Sequence, residues 1–278
     1  MKPILYAAIC LLSLSAYAQK SEKVLINEGL AMATAGNYNK AISNYNKVLT
    51  TTPDCSKALL YRGEAYSQIG DVESAIIDYE KVLEKDKKNA RAYYLRGVEK
   101  YKISDYEGAI KDYEMALKYR LFEDKLFYMM ATAKMSLGQN EDALEDLNFI
   151  LDQDPINEPA LLQRGIVYNK LKDFKSSVED LSKAIKLNPN CPTLYSYRGI
   201  SRIELNENLD ALEDFEKAVA LGGENEVILF YRGLAKYKLG DSEGAMEDLV
   251  SSKRKGYLEA VNTIKTVGEM DQIEAKAR

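Results

Sequence analysis

Arginine followed by glycine occurs at Arg62-Gly63, Arg96-Gly97, Arg164-Gly165, Arg198-Gly199 and Arg232-Gly233, at intervals of 34, 68, 34 and 34 residues. The long interval is a double step whose middle is filled by Met130-Ala131, and one step before Arg62 stands Glu28-Gly29. Counted from Glu22, seven copies of 34 residues run without insertion or deletion: 22–55, 56–89, 90–123, 124–157, 158–191, 192–225 and 226–259. A fixed period of this length means one supersecondary unit repeated, each copy too small to bury its apolar face alone and stacked on its neighbours to do so.

Within each copy the pattern reads helix, tight turn, helix. The eighth residue is small in every copy (Gly29, Gly63, Gly97, Ala131, Gly165, Gly199, Gly233), and a large apolar group stands four residues before it. The twentieth is Ala or Ser, followed four residues on by Tyr45, Tyr79, Tyr113, Leu147, Leu181, Phe215 or Leu249. Small and large residues at i and i+4 share one helix face, so each copy predicts two amphipathic helices packed by that face. Between them, pairs such as Gly70-Asp71 and Gly240-Asp241 suit a left-handed helix end followed by an N-cap. Pro53, Pro155 and Pro189 close three of the copies.

These small and large positions at this period resemble tetratricopeptide repeats, over residues 22–259. The resemblance implies an all-α fold: an α-solenoid of seven helix-turn-helix repeats wound into a right-handed superhelix, with the first helices lining a concave groove. In such a stack the free ends need caps. Residues 260–278 supply a C-terminal cap and tail, with Leu258, Val261 and Ile264 spaced for its apolar face. Four repeats separate Cys55 from Cys191, too far for a disulfide within this chain, so both are expected free or linked between molecules.

Two departures from the family pattern carry information. The seventh residue, apolar in the family, is Arg62, Arg96, Arg164, Arg198 or Arg232, and the twenty-third is Asp78, Asp112, Asp146, Asp180, Asp214 or Asp248. Pairing within a repeat matches every arginine to an aspartate and leaves Asp146 beside Met130. The ion pairs Arg62–Asp78, Arg96–Asp112, Arg164–Asp180, Arg198–Asp214 and Arg232–Asp248 are therefore expected as bidentate bridges that orient the two helices of one repeat. The eleventh residue is charged in four repeats (Lys100, Lys134, Arg202, Lys236), and the apolar group follows one step later.

Projected onto the family's groove, the sequence presents an apolar and tyrosine-rich face, with Tyr94, Tyr101, Tyr128, Met129, Met135, Tyr197, Tyr231 and Tyr237 as partner contacts. Tyrosine offers a rigid contact surface with a polar tip. The paired Lys and Asn with which cytosolic relatives grip a chaperone's C-terminal carboxylate occur in no repeat: those slots hold, for example, Leu60 and Glu64, or Tyr94 and Val98.

Composition narrows the chemistry. The chain has no histidine, which removes His-dependent nucleophilic relays and imidazole metal ligands. No phosphate-cradling glycine loop, CxxC or GxSxG occurs. A formal net charge of -5 has the wrong sign for a partner with a phosphate backbone. Met1-Lys2, the apolar run Ile4 to Leu14 and Ala16-Tyr17-Ala18 have the order of a secretory signal peptide, residues 1–18. Together these features predict a non-enzymatic scaffold without cofactor, metal or nucleic acid. It would be exported to the periplasm or medium, hold a protein or peptide in its groove and have no membrane span once the signal is cleaved. The alternative is a structural subunit that self-associates through its convex face or its caps.

Overall fold

The computed structural model describes residues 22–277, with side chains through Gly268; the expected signal peptide lies outside the described residues. All regular structure within them is helical. The first helix, α1, covers residues 22–34. It is followed by α2 (Tyr38–Thr51), α3 (Ser56–Gln68), α4 (Val72–Lys85), α5 (Ala90–Lys102), α6 (Tyr106–Lys118) and α7 (Asp124–Ser136). The chain continues through α8 (Asn140–Gln153), α9 (Glu158–Lys170), α10 (Phe174–Leu187), α11 (Pro192–Glu204), α12 (Asn208–Ala220), α13 (Glu226–Lys238), α14 (Ser242–Arg254) and α15 (Glu259–Ala277). Each 34-residue copy is thus one helix pair, and the fold is that of a helix-turn-helix solenoid.

The described residues form two compact units that divide between Leu137 and Gly138, between the helices of the fourth copy. In the N-terminal unit each helix packs on the next, and the first helices also meet one another, α3 on α5 and α5 on α7. In the C-terminal unit α9, α11 and α13 form the corresponding row.

The turns follow from local chemistry. The fifteenth residue of a copy takes a left-handed conformation whether or not it is glycine: Gly70 and Gly240 at φ 81 and 88°, but Ser104, Lys172 and Asn206 at 63, 61 and 61°. The second helix is then capped where the sequence allows. Asp71, Asp105, Asp173 and Asp241 each accept a hydrogen bond from the backbone N–H three residues on. Asn89, Asn157 and Asn225 do the same for first helices.

The C-terminal cap differs from expectation in the face it buries. It is a 19-residue helix, α15, and its buried residues are Ala260 and Val267, packed with Phe230 and Leu249, with Ile264 half-buried beside them. Leu258 and Val261 are 81% and 42% exposed. Helix α15 starts at Glu259, so Leu258 lies in the turn before it. Three- and four-residue steps within the helix run Ala260, Ile264, Val267, leaving Val261 off that face. Cys55 and Cys191 are both free; the Cys55 thiol donates to Glu22 Oε1 at 3.3 Å.

Candidate functional site

The interior of each pair is built on one contact. A Cβ placed on Gly63 would lie 2.5 Å from Tyr79 Cε1, and one on Gly97 would lie 2.6 Å from Tyr113 Cε1. The ring from the second helix therefore lies flat across a glycine of the first and carries its hydroxyl beyond it. Tyr45, Tyr79 and Tyr113 are fully buried, and their hydroxyls, with that of Tyr94, have no hydrogen-bond partner. Burial, followed by the charge of Glu64, pushes the Tyr45 phenol up to about 12; burial also raises Tyr79, Tyr94 and Tyr113. In the C-terminal unit the same slot holds Leu147, Leu181, Phe215 and Leu249, which carry no hydroxyl.

Over the first helices of the N-terminal unit lies a cleft of about 580 Å³. Its walls include Leu30 of α1, Tyr61 and Glu64 of α3, Arg91, Tyr94, Val98, Glu99 and Lys102 of α5 and Met129 of α7, with Tyr45 and Tyr79 also lining it. Glu99 is only 1% exposed. Its Oε1 accepts from Ser67 Oγ at 2.6 Å and from Lys102 Nζ at 2.8 Å, and Lys102 also reaches Oε2 at 3.1 Å. A second pair, Arg91–Glu64 at 2.7 Å, stands on the wall. Glu123 and Lys125 complete the charged lining.

The expected contact residues fall in different surroundings. Tyr94 and Met129 line the cleft; Tyr94 is 8% exposed and lies 6.1 Å from Tyr113. Tyr101 packs on Tyr106 at 5.3 Å, and Tyr128 is half-buried on α7. Met135 is buried at 9% exposure and does not line the cleft. In the C-terminal unit Tyr197 lines a smaller cavity of about 290 Å³ with Pro192, Ile200 and Ile228. Tyr231 packs between Phe215 at 6.3 Å and Phe230 at 5.2 Å, and Tyr237 lies half-buried beside the core under α15. The charged cleft residues Glu64, Arg91, Glu99 and Lys102 escape a search for apolar groove positions. Comparing repeats would have found Glu99, because the tenth residue is otherwise Ala31, Ala65, Ala133, Val167, Ser201 or Ala235.

The arginine–aspartate pairs span the two helices of a repeat and do not line the cleft. Arg62 donates from Nε and Nη2 to Asp78 at 2.7 and 2.6 Å, and Arg96 to Asp112 at 2.9 and 2.7 Å. Arg164–Asp180, Arg198–Asp214 and Arg232–Asp248 have the same fork. Each fork also touches the preceding repeat where a polar residue stands at its twenty-fifth place: Asn46 for Arg62, Asn148 for Arg164, Ser182 for Arg198. The charged eleventh residue is explained by the same acid. Lys100, Arg202 and Lys236 give Asp112, Asp214 and Asp248 a second cation at 2.8, 2.7 and 2.8 Å. Where the eleventh residue is instead Tyr66 or Tyr168, the arginine stacks over its ring at 5.7 or 5.8 Å. Burial alone would raise Asp248, yet hydrogen bonds from Arg232 and Lys236 hold its carboxyl below the ordinary carboxylate range. Arg62 to Asp248 thus serve the fold, not the cleft.

Among the described residues there is no group of three potential metal ligands, and no helix is long and apolar enough to cross a membrane. Profiles described as Tetratricopeptide repeat match residues 26–90 and 159–191. Residues 26–90 and 159–191 thus match tetratricopeptide repeats, and the rest of the described chain repeats the same helix pair. Solved structures share the fold of this repeat protein. A tetratricopeptide repeat protein from Parabacteroides merdae superposes with a TM-score of 0.65 at 20% identity, over 89% of this chain and 97% of that one. The C-terminal part of a repeat-containing protein from Cytophaga hutchinsonii gives 0.67 at 15% identity, over 85% and 98%. YrrB, described as a TPR protein with an unusual peptide-binding site, gives 0.60 at 22% identity, over 66% and 95%. At these identities the likeness is one of fold. No curated protein matches the chain. The tetratricopeptide repeat matches suggest a protein–protein interaction scaffold.

Proposed function

We propose that this repeat protein is a non-enzymatic scaffold that binds a peptide segment of a partner protein in the cleft of its N-terminal unit. The cleft itself carries the reading: about 580 Å³, walled by successive first helices, with aromatic and aliphatic surface between charged groups. A rigid aromatic wall with polar tips recognises a peptide at small entropic cost. YrrB, of the same fold, is a peptide binder by its description, which supports the same use here. The secretory pattern of residues 1–18 supports assigning this work to the cell envelope or outside it.

The test is photo-crosslinking. A benzophenone amino acid at Met129 or Tyr61, in the cleft, is expected to capture a partner segment from envelope extract, identified by mass spectrometry and displaced by the corresponding synthetic peptide. The same group at Ile77, 44% exposed on α4 and outside the cleft, is the control. Capture from Ile77 alone, or of nothing but a second copy of the chain, refutes cleft binding. Immunodetection of the mature chain in the cytoplasm would refute export.

A further inference from the structure

Glu99 is a buried charge that the repeat does not need. The six other copies place Ala, Val or Ser at the same position, and the helix pair packs with any of them. Burying a carboxylate costs several kcal/mol unless it is paired and hydrogen-bonded. Its one cationic neighbour is Lys102, three residues on along the same helix, whose side chain is 40% exposed while that of Glu99 is 2% exposed. The acid is thus held inside the cleft, and its counter-ion reaches in from the rim, donating also to Ser67 Oγ at 2.6 Å. A second pair on the wall joins α5 to α3, with Arg91 60% and Glu64 33% exposed. Beside Glu99 lie the tyrosine rings of the floor. The side chains of Tyr79 and Tyr94 line the same cleft, with their hydroxyls buried beneath it. Carboxylate and ring faces together form the set that receives an ammonium or guanidinium group.

We propose that Glu99 is the specificity-determining residue of the cleft, that it takes a lysine or arginine side chain of the bound peptide, and that Lys102 occupies this position as an internal stand-in until the peptide displaces it. This rests on the cleft being the peptide site. Exchange is nearly neutral in charge: one cation leaves for water as another arrives, and Ser67 keeps its bond to Oε1 throughout. Neither an acidic nor a purely apolar peptide can make the exchange. An acidic one brings no cation to replace Lys102 at Glu99, and an apolar one would leave that buried carboxylate without a counter-ion.

The experiment uses the purified protein and three pools of fluorescein-labelled, N-acetylated octapeptides, randomised except for a fixed fourth residue of lysine, norleucine or glutamate, with affinity read by fluorescence anisotropy. The wild type is expected to prefer the lysine pool over the norleucine pool by about tenfold, and the glutamate pool to bind weakest. Lys102→Met, which removes the competitor, is expected to tighten the lysine pool by a further factor of roughly three to ten. Glu99→Gln, isosteric and able to keep the Ser67 bond, is expected to bring lysine and norleucine pools to equal affinity. Equal binding of those pools by the wild type and Lys102→Met, or a lysine preference that survives Glu99→Gln, overturns the assignment while leaving peptide binding in place. Failure of every pool to bind overturns the cleft reading, and this inference with it. Circular dichroism of each variant checks the fold; should Glu99→Gln not fold, the Lys102→Met comparison decides alone.

Discussion

Replacing Tyr45 by phenylalanine removes one oxygen from the floor of the cleft, and the sign of the effect follows from where that oxygen lies. The residue is fully buried and its hydroxyl has no partner. A buried, unsatisfied hydroxyl costs about 1–3 kcal/mol, whereas one that is well bonded contributes about 1 kcal/mol. Tyr45→Phe is therefore expected to stabilise the protein by about 1 kcal/mol at pH 7, where a typical buried Tyr→Phe change destabilises. Alkaline pH enlarges the difference. The phenol is raised from 10.0 to about 12 in the fold, so its contribution to stability is complete below pH 10 and is lost as pH rises from 10 through 12. At pH 11 the unfolded wild type has gained about 1.4 kcal/mol from ionisation that the folded form has not, and the Phe variant is spared this. The expected gap is thus about 2 kcal/mol at pH 11. Guanidinium unfolding followed by circular dichroism at both pH values measures it. A Phe variant less stable than wild type at pH 7 would show that the hydroxyl has a partner, and a gap that does not widen with pH would show that the ring is not shielded.

Gly63→Ala places a methyl 2.5 Å from Tyr79 Cε1, in a packed interior, and is expected to cost roughly 1–3 kcal/mol by the same unfolding measurement; a neutral result would mean the ring moves aside freely. Asp112→Ala leaves Arg96 and Lys100, both mostly buried, without their shared acid and is expected to cost about 3–5 kcal/mol, while Asp54→Ala at the exposed Lys85 pair leaves the midpoint unchanged. Equal effects at the two sites would refute the role given to burial. Lys172 holds a left-handed φ of 61°, so Lys172→Gly is expected to raise stability by up to about 1 kcal/mol, and a loss would place the strain elsewhere.

Much of the architecture is a consequence of one-dimensional pattern. A 34-residue period with a small eighth residue and a large twenty-fourth leaves a helix pair as the packing solution, because only a 3.6-residue turn puts those residues on facing stripes. The arginine–aspartate register could be read the same way, since only pairing within a repeat satisfies all five arginines. The turns were legible where glycine marked them and at Ser104-Asp105, and hidden at Lys172 and Asn206; these non-glycine residues take the same conformation because the packed helices on either side demand it.

What pattern could not supply was the third dimension of side chains. Whether an apolar residue on a first helix faces partner or core depends on how far each helix turns against its neighbours, which is why Met135 is buried and Met129 is not. The cap shows the same dependence: Leu258 and Val261 have the right spacing, but Ala260 and Val267 meet Phe230 and Leu249. The double role of Asp112, Asp214 and Asp248 appeared only when the eleventh residue was seen to reach the same carboxylate. The cleft is likewise a tertiary object. Its acid from α5, its counter-ion on the same helix and its tyrosines from α2, α4 and α5 are spread over more than fifty residues of chain, and packing alone brings them to one surface.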